Sequence, residues 1–291
     1  MRIRRLCIIG MGLIGGSIAR VARSKGFCGE VVGVDHCPEH LSKGVQLGVI
    51  NAGYASVAEG AEGADVVMIA APVGSLPSIF AELKPVWRDE AVYSDAGSTK
   101  QDVIAAAQSA FGFVPANFVP GHPIAGAERS GVEAAQENLF CNKRVILTPV
   151  AGVTDEGATG LVTALWEAAG ALVSLMDARH HDEVLAATSH LPHVLAYTLT
   201  HMLGRKDEQQ EIFGYAAGGF RDFTRIASSD PRMWQDICLA NREQIIPLLQ
   251  QYGEELQRVA GFMRDGSAQA LFDYFTEARS ARQRFLDQLE K

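Results

Sequence analysis

Short apolar runs alternate with helical patterns over the first 176 residues of the chain. The runs are a few residues long and rich in strand-forming side chains. Strands that alternate with helices in this way build a parallel sheet with crossover helices. The predicted strands cover residues 6–9, 31–34, 66–70, 91–94, 118–120, 145–148 and 172–176.

The strand pattern stops near residue 176, and helical spacing of apolar residues continues to the end of the chain. A length of 291 residues also favours two domains over one. We therefore predict an α/β domain with a parallel sheet over residues 1–176, followed by an all-α domain over residues 177–291.

Two helix boundaries can be predicted within the second half. Ser229 or Asp230 in front of Pro231 predicts the start of a long helix, because an N-cap side chain often precedes a proline in the first turn. Residues 265–267 predict a break, and residues 268–289 a final amphipathic helix. These helices could bury their apolar faces internally or against a second copy of the chain, and we favour a homodimer.

Composition narrows the class of protein. The hydrophobic content of 47% and the charged content of 21% are typical of a folded globular protein. The formal net charge of -8 argues against a nucleic-acid partner, since such proteins carry basic surfaces that neutralise phosphates. The five cysteines are scattered and form no C-x-x-C pair, which favours reduced thiols in a cytoplasmic protein.

Residues 184–203 contain no Asp, Glu, Lys or Arg and match the length of a membrane span. They include three histidines and a proline, which favour a buried helix beside a site over a helix that faces lipid. We therefore expect no membrane partner.

A glycine-rich segment follows the first predicted strand and opens a helix. In the sequence Gly10-Met11-Gly12-Leu13-Ile14-Gly15, Gly10 permits a tight turn, Gly12 lets the backbone approach a pyrophosphate, and Gly15 allows close packing of helix on strand. Free N–H groups at the start of such a helix bind the pyrophosphate. The alternative, a glycine-rich turn without a ligand, is disfavoured by the β-α-β context. The expected cofactor-binding residues here are Gly10, Gly12, Leu13, Ile14 and Gly15.

Asp35 ends the second predicted strand, twenty residues after Gly15. A carboxylate at this point accepts hydrogen bonds from the adenosine ribose and repels a 2′-phosphate, so we predict NAD rather than NADP. Ala71 and Pro72 close a later strand and are expected at the same crevice, although an ordinary turn would explain them equally well.

Two further polar residues follow later strands. Ser98 comes after the strand that ends at residue 94, where it could contact a ligand or, with Thr99, cap the next helix. His122 lies between Gly121 and Pro123, in a loop where the nicotinamide end of a dinucleotide should arrive. A histidine there could accept the proton of a hydroxyl that is being oxidised, or could be structural.

The helical half offers two pairs of basic side chains. His190 and His193 lie three residues apart on one helix face, and no nearby pattern supports a metal site. If their segment is helical, Arg221 and Arg225 lie on one helix face, where they could bind the carboxylates of a ligand. The alternative is that both are exposed and form ion pairs with Asp222 or Asp230. His180 and His181 are expected to face solvent, and Trp234 is either core or a wall of the site.

Taken together, the motifs resemble the prephenate dehydrogenase family, also called cyclohexadienyl or arogenate dehydrogenases, of tyrosine biosynthesis. The resemblance spans nearly the whole chain and rests on GMGLIGGS at 10–17, DAGSTK at 95–100, GHPIAGAERSG at 121–131, TSHLPH at 188–193 and GGFRDFTRIASSDPRMW at 218–234. It implies a Rossmann-like domain followed by a helical dimerisation domain. It also implies NAD-dependent oxidative decarboxylation of prephenate or arogenate, with tyrosine as a possible competitive inhibitor.

The resemblance also implies roles for individual side chains. His122 looks like the catalytic histidine that bonds the ring hydroxyl, and Ser98 would orient it and the nicotinamide. Arg225 looks like the residue that binds the ring carboxylate. Arg221, His193 and His190 would lie near the side-chain end of the substrate.

Two other functions share parts of this pattern. Dehydrogenases of small β-hydroxy acids have the same two-domain plan, but they generally use a lysine in the helical domain, and residues 184–203 contain none. A non-catalytic NAD-sensing protein would leave Ser98, His122 and Arg225 without a shared purpose.

Overall fold

A twisted parallel sheet forms the centre of the first half of the protein. The computed structural model describes residues 3–126 and 131–289. The strands of this sheet are β1 (Ile3–Ile9), β2 (Cys28–Val34), β3 (Ala52–Tyr54), β4 (Val66–Ile69), β5 (Val92–Asp95) and β6 (Phe118–Val119). They lie in the order β3-β2-β1-β4-β5-β6, and each neighbouring pair is parallel, which confirms the predicted sheet.

Helices connect the strands and then make up most of the remaining chain. They are α1 (Leu13–Ser24), α2 (Pro38–Gln46), α3 (Val57–Ala61), α4 (Leu76–Leu83), α5 (Gln101–Phe111), α6 (Glu156–Ala168), α7 (Ala178–Leu185), α8 (Leu191–Gly204), α9 (Gln209–Gly214), α10 (Gly218–Thr224), α11 (Pro231–Ala240), α12 (Arg242–Arg264) and α13 (Ala268–Leu289). A single π-helical turn, Ala186–His190, joins α7 to α8.

A second sheet lies beside the first and corrects part of the prediction. It contains β7 (Gly121–Pro123), β8 (Arg144–Leu147) and β9 (Leu172–Leu175), with β7 antiparallel to β8 and β8 parallel to β9. The expectation that the last two strands continue the parallel sheet is therefore wrong. Pro120 has no N–H with which to extend the ladder of β6, so that strand stops and the chain begins a new sheet.

The predicted helix boundaries in the second half agree with the structure. The side chain of Asp230 accepts hydrogen bonds from the N–H groups of Arg232 and Met233 at the start of α11. This helix is shorter than expected, because it ends at Ala240 before α12 begins. The last helix covers exactly the predicted residues, 268–289.

Packing divides the chain into two compact units, one ending at Arg242 and the other starting at Glu243. The first unit contains both sheets and helices α1 to α11, because Trp234 and Ile237 of α11 belong to the same apolar cluster as Tyr93 of the sheet. The second unit consists of α12 and α13. The boundary of packing thus differs from the predicted domain boundary at 176, which remains a prediction.

The histidine-containing segment 184–203 is interrupted by the π-helical turn and does not form one long apolar helix. Among residues 3–126 and 131–289, none of the helices is both long and apolar enough to cross a membrane.

Candidate functional site

The glycine-rich turn after β1 has the geometry that a dinucleotide requires. Gly10 adopts a φ of +99°, and a Cβ on this residue would lie 2.5 Å from the carbonyl oxygen of Ala70. A Cβ on Gly15 would lie 2.0 Å from the carbonyl oxygen of Gly10. Both positions therefore exclude any larger side chain, and α1 begins directly against the end of β1.

Gly12 differs from these two glycines because an added Cβ would meet nothing within 4 Å. It precedes α1 in an extended conformation, and no side chain caps the helix. The first N–H groups of α1, which include those of Leu13 and Ile14, therefore border open space in front of the turn. A helix N-terminus of this kind attracts a pyrophosphate, so the residues present fit the predicted cofactor.

Asp35 stands at the end of β2, beside the glycine turn. Its Oδ2 accepts a hydrogen bond from the N–H of Met11 at 2.8 Å, and its Oδ1 accepts one from the N–H of Cys37 at 2.9 Å. These bonds fix the carboxylate, and each oxygen retains a second lone pair for a ribose hydroxyl. The structure thus fixes Asp35 beside the glycine turn, and its contact with a ribose stays a prediction.

Ala71 and Pro72 follow β4, which pairs with β1. The backbone nitrogen of Ala71 would lie 3.0 Å from a Cβ on Gly10, and Pro72 is exposed at the start of a short helical turn. Ala71 therefore borders the glycine turn, and the contact of both residues with a cofactor stays a prediction.

A cavity of about 960 Å³ lies in the first compact unit, and most of the predicted catalytic and substrate-binding residues line it. Five of them line it: Ser98, His122, His190, His193 and Arg225. They come from four separate segments of the sequence, and the fold brings them to one cavity.

His122 lies within β7, opposite Ile146 of β8, and not in a loop as predicted. The flanking glycine and proline suggested a loop, yet the antiparallel pairing with β8 outweighs those local preferences. The side chain is buried, with 9% of the residue exposed. Burial lowers the pKa of His122 well below its ordinary value, and the neighbouring His181, Lys100 and His190 lower it further.

His181 is completely buried, so the expectation that it faces solvent is wrong. Its Nε2 lies 2.9 Å from Nδ1 of His122, and its Nδ1 lies 2.8 Å from Oδ1 of Asp182. The neighbouring His180 is exposed, as expected. Sequence analysis missed His181 because its role depends on a contact with a residue 59 positions away.

The alternative role considered for Ser98 and Thr99, that one of them caps α5, is not seen at the N-cap position. The residue that precedes α5 is Lys100, and its side chain makes no capping hydrogen bond. Instead, Asp182 accepts hydrogen bonds from the N–H groups of Lys100 and Gln101 at 2.8 and 2.9 Å. Ser98 is thereby free of a capping role, and it lines the cavity.

A buried ion pair holds the backbone in front of His122. The ammonium of Lys100 pairs with the carboxylate of Asp95, and both side chains are fully buried. Lys100 Nζ also donates to the carbonyl of Gly121 at 2.7 Å, and the N–H of Gly121 donates to Asp95 Oδ1 at 3.0 Å. The pair thus fixes both backbone polar groups of the residue that precedes His122.

The two histidines at 190 and 193 occupy one wall of the cavity. The amide of Asn241 donates to Nδ1 of His190 at 3.0 Å, and burial lowers the pKa of His190 to about 4. Nδ1 of His193 donates to the carbonyl of Ser189 at 2.8 Å. Its ring stacks on Trp234 with centroids 3.7 Å apart, so Trp234 is both buried core and cavity wall.

The two arginines have different surroundings. Arg225 begins a short helical turn after α10 and lines the cavity. The pKa of His193 is lowered mainly by its own burial, and the charge of Arg225 lowers it further. Arg221 lies within α10, has a side chain that is 84% exposed, and is not among the residues that line the cavity. Its predicted contact with substrate stays a prediction.

Residues 127–130 of the predicted motif at 121–131 lie outside the described residues. In the part of the chain that the structure describes, no three His, Cys, Asp or Glu side chains are grouped so as to hold a metal ion.

The strand order and the glycine-rich turn after β1 define the class of protein, a dinucleotide-binding enzyme of the Rossmann type. Comparison with known families makes the assignment specific. The model of the prephenate dehydrogenase nucleotide-binding domain matches residues 18–175, and that of the prephenate dehydrogenase dimerization domain matches residues 177–277. The chain belongs to the prephenate dehydrogenase family.

Individual relatives agree with this assignment. The chain is 36% identical to the cyclohexadienyl dehydrogenase of Zymomonas mobilis over 96% of its own length and 95% of the relative's. It is 36% identical to the prephenate dehydrogenase of Bacillus subtilis over 95% of its own length and 75% of the relative's. The crystal structure of Aquifex aeolicus prephenate dehydrogenase with hydroxyphenyl propionate and NAD+ has a TM-score of 0.90 and 35% identity, with 98% of this chain and 99% of that chain covered.

Proposed function

We propose that this protein catalyses the NAD-dependent oxidative decarboxylation of prephenate, arogenate or both, a step of tyrosine biosynthesis. The products are 4-hydroxyphenylpyruvate and tyrosine, respectively. The observation that carries the proposal is the convergence of Ser98, His122, His193 and Arg225 on one cavity. Membership of the prephenate dehydrogenase family supports the choice of substrate.

The residues of the glycine turn would hold NAD. The N–H groups at the start of α1 would bind its pyrophosphate, Asp35 its ribose, and Ala71 and Pro72 would border it. Bound NAD supplies a hydride acceptor at the ring carbon that carries the substrate hydroxyl.

His122 would act as the base of the reaction. As hydride leaves the ring carbon, the hydroxyl oxygen gains double-bond character and its proton moves to the neutral imidazole. The bond to the ring carboxylate then breaks, its electron pair enters the ring, and carbon dioxide leaves. The proton returns to the oxygen to give the phenol, so aromatisation supplies much of the driving force. Burial of His122 supports this role, because it keeps the imidazole neutral.

The other lining residues would position the substrate. The guanidinium of Arg225 is suited to the ring carboxylate, since it presents fixed donors to two oxygens. Ser98 would orient His122 and the nicotinamide. His193, His190 and Arg221 would lie toward the side chain that distinguishes prephenate from arogenate.

A steady-state assay tests the proposed function. The protein is mixed with NAD and either prephenate, arogenate or a small β-hydroxy acid, and both NADH and carbon dioxide are measured. We expect NADH and carbon dioxide in equal amounts from prephenate or arogenate and none from the β-hydroxy acid. NADH from the β-hydroxy acid alone would favour a dehydrogenase of small β-hydroxy acids. No NADH from any of the substrates would favour a non-catalytic protein that binds NAD.

Three further proposals accompany this function. The protein forms a homodimer, which its match to the family's dimerization domain supports. Tyrosine competes with substrate at the cavity, because it carries the phenol ring and side chain of the product. The enzyme works in the cytoplasm, which its five free cysteines support.

A further inference from the structure

A chain of buried hydrogen bonds runs behind His122, on the side of the ring that carries Nδ1. Nδ1 of His122 meets Nε2 of His181 at 2.9 Å, and Nδ1 of His181 meets Oδ1 of Asp182 at 2.8 Å. His181 and Asp182 are 0% and 2% exposed, and they lie next to each other on α7. This arrangement reaches His122 from the helical part of the chain and belongs to none of the predicted motifs.

The carboxylate at the end of this chain is held in its ionised form. Although burial opposes ionisation, the bonds from His181 and from the N–H groups of Gln101 and Lys100 lower the pKa of Asp182. Those two N–H groups lie at the start of α5, where the helix favours a negative charge. Asp182 is thus a fixed hydrogen-bond acceptor.

The direction of each hydrogen bond follows from that acceptor. A carboxylate only accepts, so Nδ1 of His181 must carry the proton that it shares with Asp182. In a neutral imidazole the other nitrogen is then an acceptor, so Nε2 of His181 accepts a proton from Nδ1 of His122. Nε2 of His122 is left with a free lone pair, and it is the nitrogen that remains for the cavity.

From this geometry we infer that His181 and Asp182 are positioning residues that hold His122 in its Nδ1–H tautomer, with Nε2 as the proton acceptor. The inference rests on the proposed function for its chemical consequence. The pair would also stabilise the imidazolium that forms when His122 takes the hydroxyl proton, because His181, polarised by the anionic Asp182, accepts a stronger hydrogen bond from the charged ring. Without the pair, the buried imidazole of His122 is free to adopt the Nε2–H tautomer. In that form Nε2 has no lone pair with which to accept the hydroxyl proton.

The tautomer is measured directly by ¹⁵N–¹H correlation spectroscopy of the full-length protein with ¹⁵N-labelled histidine, without substrate. The signal of His122 is identified by its loss in a His122→Asn variant. Wild-type protein is expected to show the Nδ1–H tautomer at His122. His181→Leu removes the acceptor and should populate the Nε2–H tautomer. Because no substrate is present, this result does not depend on the proposed function.

Kinetics provide the second measurement. His181→Leu is expected to lower kcat with prephenate or arogenate on the order of 10²-fold or more, while the KM and the Kd for NAD change less than about threefold. His181→Gln places an amide oxygen near the position of Nε2, so it should restore the Nδ1–H tautomer and much of the lost rate. His180→Leu is the matched control, since this neighbour is exposed, and it should match the wild type.

Several results would overturn the inference. An Nε2–H tautomer at His122 in the wild type contradicts it at once. So does an unchanged tautomer in His181→Leu, or a loss of rate that His181→Gln does not reverse although its tautomer is restored. If His181→Leu does not fold, the test uses the wild type and His181→Gln. Both must show the Nδ1–H tautomer at His122, and His181→Gln must keep much of the wild-type rate.

Discussion

Burial gives His122 the property that a base in this cavity needs. An exposed histidine is about half protonated near pH 6.5, whereas a desolvated one resists protonation. His122 is packed within a strand and faces other basic side chains, namely His181, Lys100 and His190. Its imidazole therefore stays neutral at lower pH than that of an exposed histidine.

The pH profile of kcat/KM should reflect this shift. The proposed role of His122 requires its neutral form, and its pKa is lowered, so activity should persist as the pH falls through 6.5 and decline only well below that value. Initial rates with prephenate or arogenate over a range of pH, in buffers of constant ionic strength, measure the profile. An acidic half-maximum at or above pH 6.5 would contradict the shift.

Arg225 is expected to act on substrate and not on cofactor. Arg225→Ala should raise the KM for prephenate or arogenate by about 10- to 100-fold, the worth of a lost charge-assisted hydrogen bond, and should leave the KM for NAD nearly unchanged. Arg232→Ala is a suitable control, because Arg232 is exposed and does not line the cavity. Equal effects of Arg225→Ala on both KM values would argue against its contact with the ring carboxylate.

Strands and helices hold the site together through the Asp95–Lys100 pair. Asp95 ends β5, Lys100 precedes α5, and both bond to Gly121 at the start of β7. Two sheets and a helix therefore meet at one buried ion pair. Ser98 of the same segment lines the cavity, while the Asp95–Lys100 pair fixes the backbone of the neighbouring strand β7.

Removal of one partner of this pair should be costly, because it leaves an unpaired charge in the core. Lys100→Met is expected to lower the free energy of unfolding by about 3–5 kcal/mol, measured by urea denaturation. The double variant Asp95→Asn with Lys100→Met should lose less than the single variant. Lys84→Met is the control, since Lys84 is exposed and makes a single bond to the carbonyl of Ala110, so a loss of about 1 kcal/mol is expected. Similar losses in both lysine variants would show that the pair is not essential.

These elements also show what the sequence could and could not predict. The β1-α1-β2 unit and α13 were predictable because local spacing and glycines determine them. β3 was missed because the short segment Ala52–Tyr54 contains a glycine and no apolar run, and it is a strand only through its pairing with β2. His181 was misplaced for the same reason, since its burial depends on β7 and α5 and not on its sequence neighbours.

The chain as a whole presents many exposed apolar side chains on its last two helices. Those with a third or more of their surface exposed include Tyr252, Leu256, Met263, Phe272, Phe275 and Phe285. Isolated exposed apolar residues are ordinary, but a series of them along two helices is typical of an interface between subunits. The family's dimerization domain matches this region up to residue 277.

The proposed homodimer is tested by light scattering coupled to gel filtration, which should give twice the mass of one chain. Phe272 and Phe275 lie three residues apart on one face of α13 and are 65% and 52% exposed. Changing both to Glu should yield a monomer if this face is buried between subunits. Arg284→Glu, on the opposite face of the same helix, should remain a dimer. A monomeric wild-type protein, or a dimer that the double variant does not weaken, would rule out this interface.

The central claim is that His122 performs the proton transfer of an NAD-dependent oxidation in this cavity. The most direct measurement compares wild type and His122→Asn in three quantities: kcat with prephenate or arogenate, the Kd for NAD, and the Kd for substrate. We predict a fall in kcat of about 10²- to 10⁴-fold with both Kd values nearly unchanged. A kcat close to that of the wild type would contradict the account.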